Sequence, residues 1–350
     1  MQHIIAYVVG GAAVLLMGGF AYQVFGARRD RRRFRAPGKH VEIGEHRLHV
    51  RDTGEGSPTI VLESGLMSTV LAWHALQPEL AKSTRVVSYD RAGLGWSDLG
   101  PEPRDADRIV GELRALLRRS EIPPPYVLVG HSFGGLTMHL FASRYAEETA
   151  GVVLIDPVAA AEWNPPPERD QRRVEIGSKI CRRAATLAHT GLIRAAAALV
   201  QSGAKAFAGR LIKTISKGAP SDSNSTDSPW FWNLPASERA MAPVFWVQPK
   251  FCRAIASQLE RLPASAAQVV AAGPIDRPLT VISAANVSAQ RLAAHRAIAA
   301  QSPQGRHVVA ERSGHWVTED QPLLVLEAIL EIVERTRRPA ELKTRHAHQS

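Results

Sequence analysis

Gly130-His131-Ser132-Phe133-Gly134-Gly135 is the segment whose residue types and spacing could do chemistry. It comes after an apolar run, Tyr126–Val129, and precedes a helix-like run, Leu136–Tyr145. A serine on a sharp strand-to-helix turn stands exposed as a nucleophile, and the strain of that turn calls for minimal side chains two positions to either side. Gly130 and Gly134 supply them. The backbone N–H of Phe133, at the positive end of the following helix, would then face a developing oxyanion. Acyl transfer also needs a base in reach of the serine. His315, in Ser313-Gly314-His315-Trp316, lies between the last β-like run and the final helix-like run, where a loop can carry an imidazole over the carboxyl edge of a sheet. The other histidines read as ordinary surface or core residues, His131 as packing beside the turn.

The elements that must position these groups are visible as a pattern. Short β-rich runs occur at Val41–Ile43, Arg47–Arg51, Thr59–Glu63, Val86–Asp90, Tyr126–Val129, Val152–Ile155, Leu279–Ile282 and His307–Ala310. Helix-like segments fall at Trp73–Ala81, Asp105–Arg119, Gly135–Tyr145, Ala289–Gln301 and Pro322–Arg335. Apolar strands alternating with amphipathic helices predict an α/β fold, a mainly parallel eight-stranded sheet with helices on both faces, and the Gly44 turn predicts an antiparallel edge. The alternation stops after Asp156-Pro157 and resumes at Leu279. The intervening block reads as a helical cap inserted after the sixth strand. The expected organisation is therefore 1–26 anchor, 27–40 basic linker, 41–156 and 278–336 core, 157–277 cap and 337–350 polar tail.

Five motifs in order make the chain resemble the α/β-hydrolase family over about 41–156 and 278–335. They are Val61-Leu62-Glu63-Ser64-Gly65-Leu66, the stretch from Tyr89-Asp90-Arg91 to Gly95-Trp96-Ser97, the Gly130–Gly135 turn, Val153-Leu154-Ile155-Asp156-Pro157, and Ser313-Gly314-His315. The resemblance implies a serine hydrolase working through an acyl-enzyme, with Ser132 as nucleophile and His315 as base. Where the family has a His-Gly pair after the third strand, this chain has Ser64-Gly65, which makes Leu66 the second oxyanion donor beside Phe133. Asp90-Arg91 and Ser97 match a loop that the family uses structurally. The family's usual position for the acid, after Leu279–Ile282, holds no carboxylate between Ser283 and Gln290. Some members place it at the end of the strand after the nucleophile helix, where this chain has Asp156, which could instead cap a turn. Asn286 is a neutral substitute, and Asp276 and Glu162 are more distant candidates.

A serine at the turn argues against the dehalogenase and epoxide-hydrolase branches of the family, which use an aspartate there, and leaves ester, thioester, lactone or amide cleavage. Trp163, Trp230, Phe231, Trp232, Phe245 and Trp246 concentrate in the insertion and favour a small apolar, lipid-derived acyl substrate, with Trp230, Phe231 and Trp232 as binding residues; each could equally be cap core. The same residues could run acyl transfer to another acceptor if water were excluded, and the fold could also serve a non-catalytic membrane-tethered binding protein. The chemistry calls for no cofactor and no metal, and the two cysteines, Cys181 and Cys252, lack the spacing of a zinc site or a disulfide framework.

Of 350 residues, 45% are apolar and 22% charged, enough to bury a sizeable core and too apolar for a disordered chain. The formal charge of +10 is concentrated: residues 27–40 carry seven basic residues and Asp30, residues 171–217 carry ten and Glu175, and the rest is net acidic. Charge confined to two patches, without a nucleic-acid motif, points to a membrane surface rather than nucleic acid. From Ile4 to Gly26 no Asp, Glu, Lys, Arg or His occurs, and about 20 such residues span a bilayer. Met1-Gln2-His3 lacks the basic start of a signal peptide, and the arginines from Arg28 to Arg35 place the catalytic domain on the cytoplasmic side of a single-pass anchor. The two basic patches then rest on anionic lipid of that leaflet.

Overall fold

A computed structural model describes residues 1–201 and 234–347. Its sheet has eight strands, β1 (Lys39–Glu42), β2 (Arg47–Thr53), β3 (Thr59–Glu63), β4 (Val86–Tyr89), β5 (Tyr126–His131), β6 (Thr149–Ile155), β7 (Leu279–Ala284) and β8 (Gly305–Ala310), in the order β1-β2-β4-β3-β5-β6-β7-β8. The β1–β2 and β2–β4 pairs are antiparallel and the rest parallel. The α/β class and the antiparallel edge are as the apolar runs predict. The central strands β3, β5 and β6 are buried on both sides, yet period 2 still divides their apolar side chains. Ile60, Leu62, Val127, Val129, Val153 and Ile155 pack on one face, while Val61, Leu128, Val152 and Leu154 pack on the other.

The helices are α1 (Gln2–Arg33), α2 (Leu76–Leu80), α3 (Ala106–Arg119), α4 (Phe133–Arg144), α5 (Glu168–His189), α6 (Leu192–Gln201), α7 (Ala236–Arg239), α8 (Ala242–Trp246), α9 (Pro249–Glu260), α10 (Leu262–Ala272), α11 (Ala289–Ala299), α12 (Val317–Asp320) and α13 (Pro322–Ala347). α3 begins where the Asp105 side chain accepts the Arg108 N–H at 3.0 Å and buries Ile109, Val110, Leu113, Leu116 and Leu117. α13 covers the opposite face with Val325, Ile329, Ile332 and Val333, spaced as one helical stripe. Helices α5–α10 occupy the stretch between β6 and β7.

Three boundaries differ from the sequence reading. The segment expected as a helix over Trp73–Ala81 is split into a 3-10 turn, Val70–Trp73, and the short α2. The final helix continues through Pro339 to Ala347 rather than ending before a frayed tail. The basic block from Arg28 to Arg33 is no extended linker but the last turns of α1.

α1 is about 48 Å long at 1.5 Å per residue and is the one described helix long and apolar enough to cross a membrane. Its apolar side chains, from Ile4 to Phe25, are mostly exposed. One face is not. Gly19, Gln23, Gly26 and Asp30, spaced 4, 3 and 4 residues apart, meet the α5–α6 turn. A Cβ on Gly19 would strike the Thr190 carbonyl. Gln23, buried, donates to the Val247 carbonyl at 3.1 Å and accepts from Arg194 at 3.0 Å, and Arg194 pairs with Asp30 at 2.5 Å. The helix is thus bolted to the insertion rather than joined to it by a leash.

Candidate active site

The parallel register brings four loops to one edge. Glu63 pairs with Gly130, His131 with Ile155, and Ile155 with Ile282, so the chain leaves β3, β5, β6 and β7 at one level. Chain order turns from one side of β3 to the other between β4 and β5, and the groove at such a switch point is where sheets of this kind hold ligands.

Ser132 sits there at φ 55 and ψ −118, a left-handed conformation that L residues rarely adopt, at the junction of β5 and α4. It is retained because its surroundings over-determine it. Its N–H donates to the Ile155 carbonyl at 2.9 Å, and its carbonyl accepts from Gly135 at 2.9 Å and Val158 at 3.1 Å. A Cβ at Gly130 would collide with the Gly134 carbonyl, and one at Gly134 with the Glu63 carbonyl. The glycines therefore serve close backbone approach. Ser132 is partly exposed between buried His131 and Phe133.

His315 reaches the same edge from the loop after β8. Its Nδ1 lies 2.6 Å from Oδ2 of Asp156, whose side chain is 2% exposed against 38% for the imidazole. Asp156 ends β6 with a positive φ of 39, donates its N–H to the Ile282 carbonyl at 2.7 Å, and accepts the Ala284 N–H on Oδ1 at 3.2 Å. Burial by itself would raise this carboxyl's pKa. The hydrogen bond and charge of His315 and the Ala284 N–H outweigh it and hold the group below the usual carboxylate value. Of the other candidate acids, Asn286 and Asp276 are exposed, and Glu162 pairs with Arg291 at 3.3 Å. Beneath Asp156, His295 contacts the Pro157 carbonyl and Ser283 Oγ, both at 2.8 Å, and Ser283 Oγ contacts His307 at 2.8 Å.

Two residues that the sequence marks only as packing and as part of a structural loop, His131 and Arg91, brace the site. His131 Nε2 donates to the carbonyl of His315 at 2.8 Å, so it holds the backbone of the histidine loop. Burial, and the neighbouring His315, push its pKa down to about 3, which leaves it neutral. Arg91, 1% exposed, pairs with Glu63 and donates to the carbonyls of Ser64 (2.6 Å), Gly65 (2.5 Å) and Leu66 (3.2 Å). Its guanidinium also lies 5.3 Å from the Phe133 ring centroid. One buried cation thus braces the loop of Leu66 and touches Phe133, the two residues expected to donate to an oxyanion. The signal for it is an arginine directly after an apolar strand, in Tyr89-Asp90-Arg91, where a long charged side chain has to find partners inside. Phe133 is the first residue of α4, where an N–H has no intrahelical acceptor. Gly65 lies against the elbow: a Cβ there would stand 3.5 Å from the Cβ of Ser132.

Above the edge, Leu71, Leu94, Leu234, Phe245, Phe251 and Ile255 form an apolar cluster joined by Leu66, Trp246 and Trp316. Trp163 packs instead against the main core. Trp230, Phe231 and Trp232 lie outside the described residues. Cys181 and Cys252 are both free thiols, and among the described residues no three His, Cys, Asp or Glu side chains converge as a metal site would require.

Residues 60–328 match the alpha/beta hydrolase family, well over half of the chain. The chain belongs to this family. It is similar to the uncharacterized protein YqjL of Bacillus subtilis (strain 168), 36% identical over 104 residues, which cover 30% of this chain and 41% of that one. It is also similar to the 2-hydroxymuconate semialdehyde hydrolase of Pseudomonas sp. (strain CF600), 35% identical over 137 residues, 34% of this chain and 45% of the relative. The chain therefore spans less than half the length of these curated relatives. Among solved structures, a thermophilic esterase from Thermogutta terrifontis superposes with a TM-score of 0.62 at 22% identity, covering 85% of this chain and 98% of that one, a likeness of fold.

Proposed function

We propose that this alpha/beta hydrolase is a membrane-anchored serine hydrolase that cleaves an ester, thioester, lactone or amide of an apolar acyl substrate through an acyl-enzyme. The observation that carries the reading is the 2.6 Å contact of His315 Nδ1 with Asp156 beside a serine held at φ 55 on the elbow. In this mechanism Asp156 fixes the tautomer in which His315 Nε2 takes the Ser132 proton as Oγ attacks the acyl carbonyl. The N–H groups of Phe133 and Leu66 hold the oxyanion. His315 returns the proton to the leaving group, then deprotonates the water that releases Ser132 from its acyl group. Among hydrolases of this fold, an elbow serine favours acyl chemistry over the branches that use aspartate. The apolar cluster around Leu66 and Trp316 favours an apolar acyl group.

In the same reading α1 spans the bilayer once and the arginines at its end keep the body on the cytoplasmic side. The lipid-facing role falls to fewer residues than composition suggests. Among the cap's cations, Arg182 bridges Glu102 and Glu260 at 2.8 and 2.7 Å, and Arg194 binds Asp30, so both hold the molecule together.

The test is labelling of the full-length protein in membranes with a serine-directed fluorophosphonate. Wild type is expected to label at Ser132, with labelling lost in Ser132→Ala and His315→Ala. A folded wild type that fails to label overturns the enzyme reading. Reporter tags at the two ends, probed with a membrane-impermeant reagent, check the topology.

A further inference from the structure

Where α1 ends, a cavity of about 390 Å³ opens between the helix, the β4 loop and the cap, and none of Ser132, Asp156 and His315 lines it. Arg31, Phe34, Arg35, Arg47, Trp96 and Lys250 contribute to its walls. Both acids that line it are engaged: Asp30 with Arg194 at 2.5 Å, and Asp98 with Arg47 at 2.8 Å. Arg31 and Arg35 have no ion-pair partner among the described residues. Lys250 Nζ spends two of its three protons on the carbonyls of Gly95 (2.8 Å) and Ser97 (2.7 Å), which aims the group and leaves one donor. The opposite wall is aromatic. Trp96 packs edge-on against Phe245 at 4.8 Å and donates its indole N–H to the Phe34 carbonyl at 3.0 Å.

A hydrocarbon core about 30 Å thick takes about 20 residues of helix, which from Ile4 ends near Gln23. Arg31 is then about 12 Å further along the axis, just beyond a headgroup layer of about 5–8 Å, and its long side chain, tilted back toward the helix N-terminus, reaches the phosphates. We propose that this cavity binds the phosphate headgroup of an anionic membrane lipid, held by Arg31, Arg35 and Lys250, with the first carbons against Trp96 and Phe34. The inference rests on the membrane anchoring proposed above but not on the catalytic reading. It differs from adsorption of a basic surface, because it assigns the interaction to one face of the arginine block. Arg28, Arg29, Arg32 and Arg33 line the other face, around Phe25. Burial pushes the Lys250 ammonium down to about 8, and an anion in the cavity would lift it back.

The experiment uses full-length protein in phosphatidylcholine vesicles doped with a photo-crosslinkable phosphatidylglycerol, crosslinking being followed against its mole fraction. Arg31→Gln/Arg35→Gln is compared with Arg28→Gln/Arg32→Gln, which removes the same charge from the other face. Expected is a loss of apparent affinity roughly tenfold greater in the first pair than in the second, with adducts mapping to Phe34, Trp96 or their neighbours. Equal losses would show a diffuse surface effect and overturn the site. Displacement of the lipid by millimolar glycerol phosphate would assign the cavity to a soluble phosphate ester and overturn the lipid. If wild type does not float with pure phosphatidylcholine vesicles after carbonate extraction, the anchor itself has failed and the lipid site with it. Floating vesicles with equal losses separate that failure from failure of the site.

Discussion

The carboxyl edge of the sheet and the seam between α1 and the cap are both places where distant residues meet, and they are built by opposite means. At the edge, backbone register does the positioning: Ser132 and Asp156 come directly after paired strands, and each is tied to the next strand through its own N–H, to Ile155 and to Ile282. At the seam no strand or continuous helix aligns the partners. Side chains make the joint, Gln23 to Arg194 and the Val247 carbonyl, and Arg194 to Asp30. A site built on register is rigid and tolerates little. A seam built on side chains is held by the few hydrogen bonds it makes and sets orientation rather than chemistry.

Changes at the edge should therefore have the larger effects. Asp156→Asn keeps the side chain's shape but stabilises the wrong His315 tautomer, and kcat should fall about 10⁴-fold with the far-UV circular dichroism of wild type. An unchanged kcat would separate His315 from Asp156. Arg91→Met leaves the buried Glu63 carboxyl without its cation, and should cost about 3–5 kcal/mol in denaturant unfolding. The double change Glu63→Gln/Arg91→Met should recover much of that loss, and a double change no better than the single would assign Arg91's worth to the carbonyls of Ser64–Leu66 instead.

Acid should also act on the core first. Burial pushes His131 down to about 3 and His139 to about 4, so the unfolded chain takes up protons from about pH 6.5 downward while the folded one does not. Stability is complete above that pH and is lost as pH falls, by up to about 2 kcal/mol per histidine at pH 5. Urea midpoints at pH 7 and pH 5 check the sign, and a midpoint that rises on acidification would contradict it.

At the seam, Arg194→Ala should cost about 1–2 kcal/mol, read as a lower melting temperature of the full chain in detergent, with kcat changed less than about twofold. Arg253→Ala, at the exposed rim where the cap meets Glu102, should move stability by about 0.5 kcal/mol or less. Equal effects of these two changes would mean that the seam is no better built than an exposed ion pair.

Much of the fold is legible in the amino-acid sequence, and for a local reason. A strand buried on both faces must be a short apolar run, and the run Thr59–Glu63, with Ile60-Val61-Leu62 at its centre, coincides with β3 at both ends. The elbow is legible because Gly130 and Gly134 are constraints on backbone approach within five residues. Composition marks α1 as long and apolar enough to span, but not where it ends. The arginines after Gly26 read as a linker, while helix propensity carries the backbone through Arg33 and the cap supplies partners for Gln23 and Asp30.

By itself the sequence determined the alternation of strands and helices, the serine's turn and the break into the insertion, because each depends on residues a few positions apart. Only the tertiary structure decided which carboxylate stands against His315, why Arg91 is buried, and which face of α1 meets the cap. Those answers depend on pairs separated by many residues, whose distance is set by register and packing. The sequence favours Asp156 but leaves Asn286, Asp276 and Glu162 open, whereas the β6–β7 register and the Ala284 N–H bring Asp156 to 2.6 Å from the imidazole.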